Sequence, residues 1–205
     1  MTSRYTELQL DALRELANVA SGTAATSLSQ MLGREIGLTV PRAQALTLED
    51  AVTAAGDPAE RVNTVALAVA GDIAGLVVLL IPPLHAATLC HLLGVEPGSA
   101  VGDSALSEIG NILGASFLNA LGAMTGLALE PGTPHLSTGA VGTVVSALIA
   151  QAAGHSDTVL MLDSEIDNVR STVAHNKFNA QLQAELAVLY RDKQDTLKEI
   201  LERAQ

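Results

Sequence analysis

The chain has 205 residues, 48% hydrophobic and 2% aromatic, with 22 acidic against 11 basic side chains and a formal charge of −11. That length can bury a real core in one large domain or two small ones. The acidity leaves no basic stripe for nucleic acid or an anionic membrane, and the near absence of aromatics, with no Trp, argues against base- or sugar-stacking clefts.

Residues 4–33 are expected to form a long helix. Thr6 and Gln9 have capping-box spacing, Leu13, Leu16, Ala20, Ala24, Leu28 and Met31 draw one apolar stripe, and Gly33 suits the C-cap. The start, MTSRYTELQLDALREL, lacks the apolar block of a signal peptide. Residues 36–46 are extended around Pro41, and 48–55 form a short helix closed by Gly56-Asp57-Pro58. Two apolar strands follow, 62–70 and 74–81, with Gly71-Asp72 as their hairpin turn. The longest clean apolar run, Ile73 to Ile81, is nine residues, far short of the roughly 20 that span a membrane. Pro82-Pro83 ends it, and 84–93 is a helix closed by Gly94.

The pattern then restarts. Residues 103–125 are a second long helix, capped by Asp103 and Gly126; 127–136 are extended and hold Pro131 and Pro134; 140–153 are a short apolar helix; 158–166 are a strand. Phe178, Ala180, Leu182, Ala184, Leu186, Val188 and Tyr190 alternate with mostly polar neighbours, a strand signal over 178–190. The helix-favouring residue types of the tail make a continuous helix from 178 the rival, and 193–204 is expected to be a terminal helix.

The two halves, about 4–94 and 103–205, therefore share one order of elements. Sliding residues 11–41 onto 104–134 brings eight of 31 positions into identity: Ala12, Leu13, Glu15, Asn18, Leu28, Met31, Gly33 and Pro41 meet Ala105, Leu106, Glu108, Asn111, Leu121, Met124, Gly126 and Pro134. Packing explains a repeated Leu. It does not explain a repeated Asn, a poor helix former.

Asp11, Glu15 and Asn18 stand at i, i+4 and i+7, with Pro41 23 residues beyond the Asn; Ser104, Glu108, Asn111 and Pro134 repeat the spacing. On a helix these steps line one face, away from the Leu13/Leu16/Ala20 stripe. The next positions on that face are Gly22 and Ala25, and Ala115 and Leu118; the small residue one turn past each Asn leaves room for another surface. A solvated helix face with an incidental Asn would explain one copy, but two copies at one spacing favour a functional reading.

This pattern, Asp or Ser, three residues, Glu, two residues, Asn, then Pro after about 22, resembles the signature of the CheC/CheX/FliY phosphatases of bacterial chemotaxis. Here it reads D-ALR-E-LA-N with Pro41 and S-ALS-E-IG-N with Pro134. Two intact copies resemble the CheC type, and no added switch-binding domain of the FliY kind is expected. The resemblance implies one α/β domain over residues 1–205, built of two repeats with pseudo-two-fold symmetry. Its single, largely antiparallel sheet would have about six strands, with the two long helices on one face. It implies hydrolysis of the phospho-aspartate of a CheY-type response regulator in the cytoplasm, with Mg²⁺ and a lysine supplied by the regulator and no cofactor on this chain. Asn18 and Asn111 would place the attacking water, an amide being able to accept from water and donate to a phosphoryl oxygen. Glu15 and Glu108 would pair with the regulator's lysine. Asp11 and Ser104 would tune docking or the helix start, and Pro41 and Pro134 would shape the strand entry.

The alternative is a binding module that regulates a CheD-like receptor deamidase, a partner the resemblance also implies. A third reading is a scaffold whose repeated helices dimerise. His85, His91, His135, His155 and His175 show no metal-ligand spacing, and neither HExxH nor a Cys-x-x-Cys pair occurs. Cys90, the lone cysteine, leaves no internal disulfide, and with His91 reads as a core or rim pair rather than a dyad. Neither GxGxxG nor a Walker A loop is present.

Overall fold

The computed structural model describes residues 6–38, 42–153, 158–167 and 185–190. Helix α1 (Glu7–Leu32) starts on a reciprocal capping box, in which Gln9 N–H donates to Thr6 Oγ1 (3.2 Å) and Thr6 N–H to Gln9 Oε1 (2.8 Å). It ends on Gly33, left-handed at φ 62°, whose N–H reaches Ser29 O. β1 (Gly37–Leu38) and β2 (Arg42–Thr47) lead into α2 (Leu48–Ala54), capped by Thr47. The pair β3 (Arg61–Gly71) and β4 (Gly75–Ile81) is followed by α3 (Pro83–Leu92) and the second long helix, α4 (Ala100–Thr125). β5 (Leu129–Pro131), β6 (His135–Ala140), α5 (Val141–Ala153), β7 (Thr158–Asp167) and β8 (Glu185–Tyr190) complete the described elements.

Every strand pair is antiparallel, and the sheet runs β1-β7-β8-β4-β3-β5, with β2 also on β7 and β6 also on β3. Among the described residues it has eight strands where the sequence suggests about six, because each extended segment contributes two. In the second, Pro131 and Pro134 cannot donate to a ladder and mark the break between β5 and β6. The strand order reads alike from either end when β1, β2, β3 and β4 exchange with β5, β6, β7 and β8. The registers agree: Arg42↔Asp163 and Gly37↔Asp167 on one side answer His135↔Ala66 and Glu130↔Ala70 on the other.

Three further details depart from the sequence expectation. α4 begins at Ala100, and its cap is Ser99, whose Oγ accepts from Gly102 N–H (3.1 Å); Asp103 lies in its first turn. Gly71-Asp72 is not a two-residue turn. β3 runs on through Gly71 to pair with Leu129, and Asp72 N–H donates to Ala128 O (2.9 Å) while Ala128 N–H donates to Asp72 Oδ2 (2.9 Å). β6 continues to Ala140, beyond the expected extended segment. At the tail, 185–190 is strand, not helix; 178–184 and the expected helix 193–204 lie outside the described residues.

The sheet is a middle layer. On one side α1, α3 and α4 pack over Val65, Leu67, Val69, Val77, Leu79, Ile81, Leu160 and Leu162. On the other, α2 and α5 cover Val62, Leu76, Val78, Leu80, Val159 and Met161. β4 is thus apolar on both faces, which explains its unbroken apolar run.

Candidate functional site

Thr6 and Ser99, the caps of α1 and α4, stand at one position of the 93-residue offset, so the two helices begin in step. Each then presents the same stripe. Asp11 and Glu15 are exposed and Asn18 is half-buried; Ser104 and Glu108 are exposed and Asn111 is half-buried. One turn beyond the amides, Gly22 is exposed, with no atom within 4 Å of where its Cβ would lie, and Ala115 is half-buried. Here the open surface stops. Ala25 and Leu118, expected to continue it, are buried at 7% and 0% exposure and belong to the packed side. A seven-residue step turns the azimuth by only about 20°, so these two positions stay on the same side of their helices and are buried because the packed layer covers that part of the face.

Each amide is held by a tightly packed backbone. Gly110, just before Asn111, lies against Val65, and Gly114 lies against Leu67 and Val77. On α1 the matching positions are Ala17 and Ser21, at 0% and 1% exposure. α1 and α4 share one layer and are joined by Ser116 Oγ–H donating to Ser27 Oγ at 2.8 Å. Asn111 Nδ2 is 3.5 Å from Glu108 Oε2, a long contact that leaves the amide free to rearrange for a ligand.

The stripes differ at their N-terminal ends. Arg14 is ion-paired with Asp11, both about half exposed or more. On α4 the corresponding residues are Ser107 and Ser104, whose hydroxyls donate back to Asp103 O and Ala100 O, each at 2.9 Å. Pro134 is half-buried in the segment between β5 and β6, which Gly132 N–H ties to Ala68 O at 2.7 Å. Pro41, His155 and His175 lie outside the described residues. The sequence reading passed over Leu8 and Val101, two exposed aliphatic side chains one turn before Asp11 and Ser104. The 93-residue offset contained that signal, hidden because the two residues are not identical.

Among the described residues no group of three or more His, Cys, Asp or Glu could hold a metal ion, and no helix is long and apolar enough to cross a membrane. Cys90 is buried, with Sγ 3.9 Å from Gly102 O. Its burial first, and the Asp103 carboxylate second, push the thiol above its ordinary range. That opposes a nucleophilic role.

The CheC-like family profile matches residues 8–43 and 101–137, the two segments that carry the stripes. The chain is 31% identical over 168 residues to the CheY-P phosphatase CheC of Bacillus subtilis, covering 78% of this chain and 80% of that protein. Its fold is similar to that of FliY from Thermotoga maritima (TM-score 0.72, 20% identity, 98% of each chain covered). It also resembles the structure of a CheX–CheY complex from Borrelia burgdorferi (TM-score 0.55, 16% identity, 89% of this chain and 99% of that one). With the doubled Glu/Asn stripe and a CheC relative matched over most of its length, the chain belongs to the CheC-like family of chemotaxis phosphatases.

Proposed function

We propose that the chain hydrolyses the phospho-aspartate of a CheY-type response regulator. The observation that carries this is the pair of Glu/Asn stripes, identically spaced on two helices whose backbones are fixed against the sheet. In each, the Asn amide accepts from a water and donates to a phosphoryl oxygen, setting the water in line with phosphorus. The water's oxygen bonds to phosphorus, the bond to the aspartyl oxygen breaks, and inorganic phosphate, a proton and the free carboxylate result. Glu15 or Glu108 binds the regulator's lysine and fixes the approach. The Mg²⁺ belongs to the regulator. The chemistry asked of this chain is positioning, which alone is worth several kcal/mol of barrier. The palindromic strand order supports a single domain built of two repeats, each carrying one site.

The test is decay of phosphorylated B. subtilis CheY with this protein added. Asn18→Ala and Asn111→Ala should each remove part of the acceleration. The double variant should lose nearly all of it, roughly 10²–10³-fold at each affected site. Ala is the better helix former, so melting temperature should not fall. Full activity in a folded double variant would overturn the mechanism and favour the binding-module reading.

A further inference from the structure

Leu8 and Val101 are 68% and 63% exposed. One exposed aliphatic side chain has no meaning by itself. These two occupy one position of the 93-residue offset, each two residues after its helix cap. Of the other exposed large apolar side chains, Val19 and Met124 answer to half-buried Ile112 and Met31, and the counterpart of Leu84 at residue 177 lies outside the described residues. The first turn of a helix favours acidic and polar residues. An aliphatic group left in water there, in both helices, contributes nothing to either helix start.

Their placement relative to the stripe is informative. Leu8 and Glu15 are seven residues apart, nearly two full turns, so they share one azimuth and lie roughly 10 Å apart along the axis; Asn18 lies roughly 15 Å away. Val101, Glu108 and Asn111 repeat this. Beside Leu8 an open groove of about 470 Å³ is lined by Glu7, Leu8, Leu10, Asp11, Arg14 and Ala43. It has room for an apolar side chain from outside.

We propose that Leu8 and Val101 are the apolar anchors by which each site grips its phosphorylated receiver domain. They would meet an aliphatic patch on that domain, roughly 10 Å from the lysine facing Glu15 or Glu108 and roughly 15 Å from the phosphorus. The proposal rests on the phosphatase reading given above. In each site the Glu supplies charge complementarity at mid-stripe, the anchor removes apolar surface from water at one end, and the amide meets the phosphoryl group at the other. The anchor therefore sets affinity and orientation and touches no reacting atom.

The test is steady-state hydrolysis of phosphorylated B. subtilis CheY by wild type, by Leu8→Ser/Val101→Ser and by the conservative Leu8→Met/Val101→Ile, with melting temperature and solution mass on the same preparations. The serine variant should raise KM roughly tenfold, as loss of one buried aliphatic contact predicts. Its turnover at saturation should stay within about twofold and its melting temperature should hold; the conservative variant should restore KM. An unchanged KM overturns the proposal. So does a joint fall of turnover and melting temperature, which would make the residues structural. A change of mass with unchanged KM overturns it too, assigning them to a contact between copies of the chain. Wild type that fails to speed decay would overturn the phosphatase reading itself, a result distinct from these.

Discussion

Gly110 of α4 lies so near Val65 of β3 that a methyl group on the glycine would stand 2.4 Å from Val65 Cγ1. Glycine inside a helix costs about 1 kcal/mol relative to alanine, so its presence here reflects the close approach of helix to sheet. The contact fixes the backbone next to Asn111. Gly110→Ala should therefore lower the melting temperature despite its better helix propensity, since overpacking costs about 1–3 kcal/mol. Gly114→Ala, whose Cβ would meet Leu67 at 3.3 Å, should cost less. Thermal melts of the two variants check the order; a Gly110→Ala protein as stable as wild type would show that Val65 yields.

Glu15 and Glu108 are exposed and should act through charge. Glu15→Lys with Glu108→Lys should weaken binding of the phosphorylated regulator by like-charge repulsion, most strongly at low salt. Titration of CheY in its beryllofluoride form at two ionic strengths measures this. An affinity that neither falls nor gains salt dependence would remove the docking role.

The two sites should not be equal. Arg14, paired with Asp11, places a cation near Glu15, whereas Ser107 places none near Glu108. In an Asn111→Ala background only the α1 site should remain active, and Arg14→Ser should there lower KM a few-fold at low salt, an effect fading as salt screens it. The same kinetics with and without the arginine would show that Asp11 already neutralises it.

Cys90 provides a pH signature of the fold. Burial, then Asp103, raise its thiol from the ordinary 9.0, so the native state keeps that proton to higher pH than the unfolded chain. The associated stability is full below about pH 9 and is lost as pH rises through the native thiol's value. Urea melts at pH 8 and pH 10 should show a steeper loss for wild type than for Cys90→Ala. Equal losses would mean that the thiol is not protected.

Most of this arrangement could be read from the chain because its signals are local. The Thr6 capping box, the Gly33 and Gly126 ends and the i, i+4, i+7 stripes each depend on neighbours within a few turns. What sequence reading missed depends on distant partners. The Gly71-Asp72 segment reads as a two-residue turn until Ala128 holds it from 56 residues away. Ser99 was passed over for Asp103 because both residue types cap helices and only the backbone path decides between them. Ala25 and Leu118 were assigned to an open face because periodicity gives an azimuth but not where the neighbouring elements end.

The pairing of β2 with β7 and of β6 with β3 has a consequence for how the chain acquires its shape. Each half lends its first strands to the other half's third strand, so neither half can close its own sheet. β8, the last described strand, fits between β7 and β4, in the interior of the sheet rather than at its edge. Until it arrives, β4 and β7 both present open backbone edges, which invite pairing with other chains. Folding to completion must therefore wait until synthesis has passed Tyr190, and the high sequence separation of these pairings should make that final closure slow. A protein released before that strand would carry both Glu/Asn helices yet remain two unjoined sheet fragments.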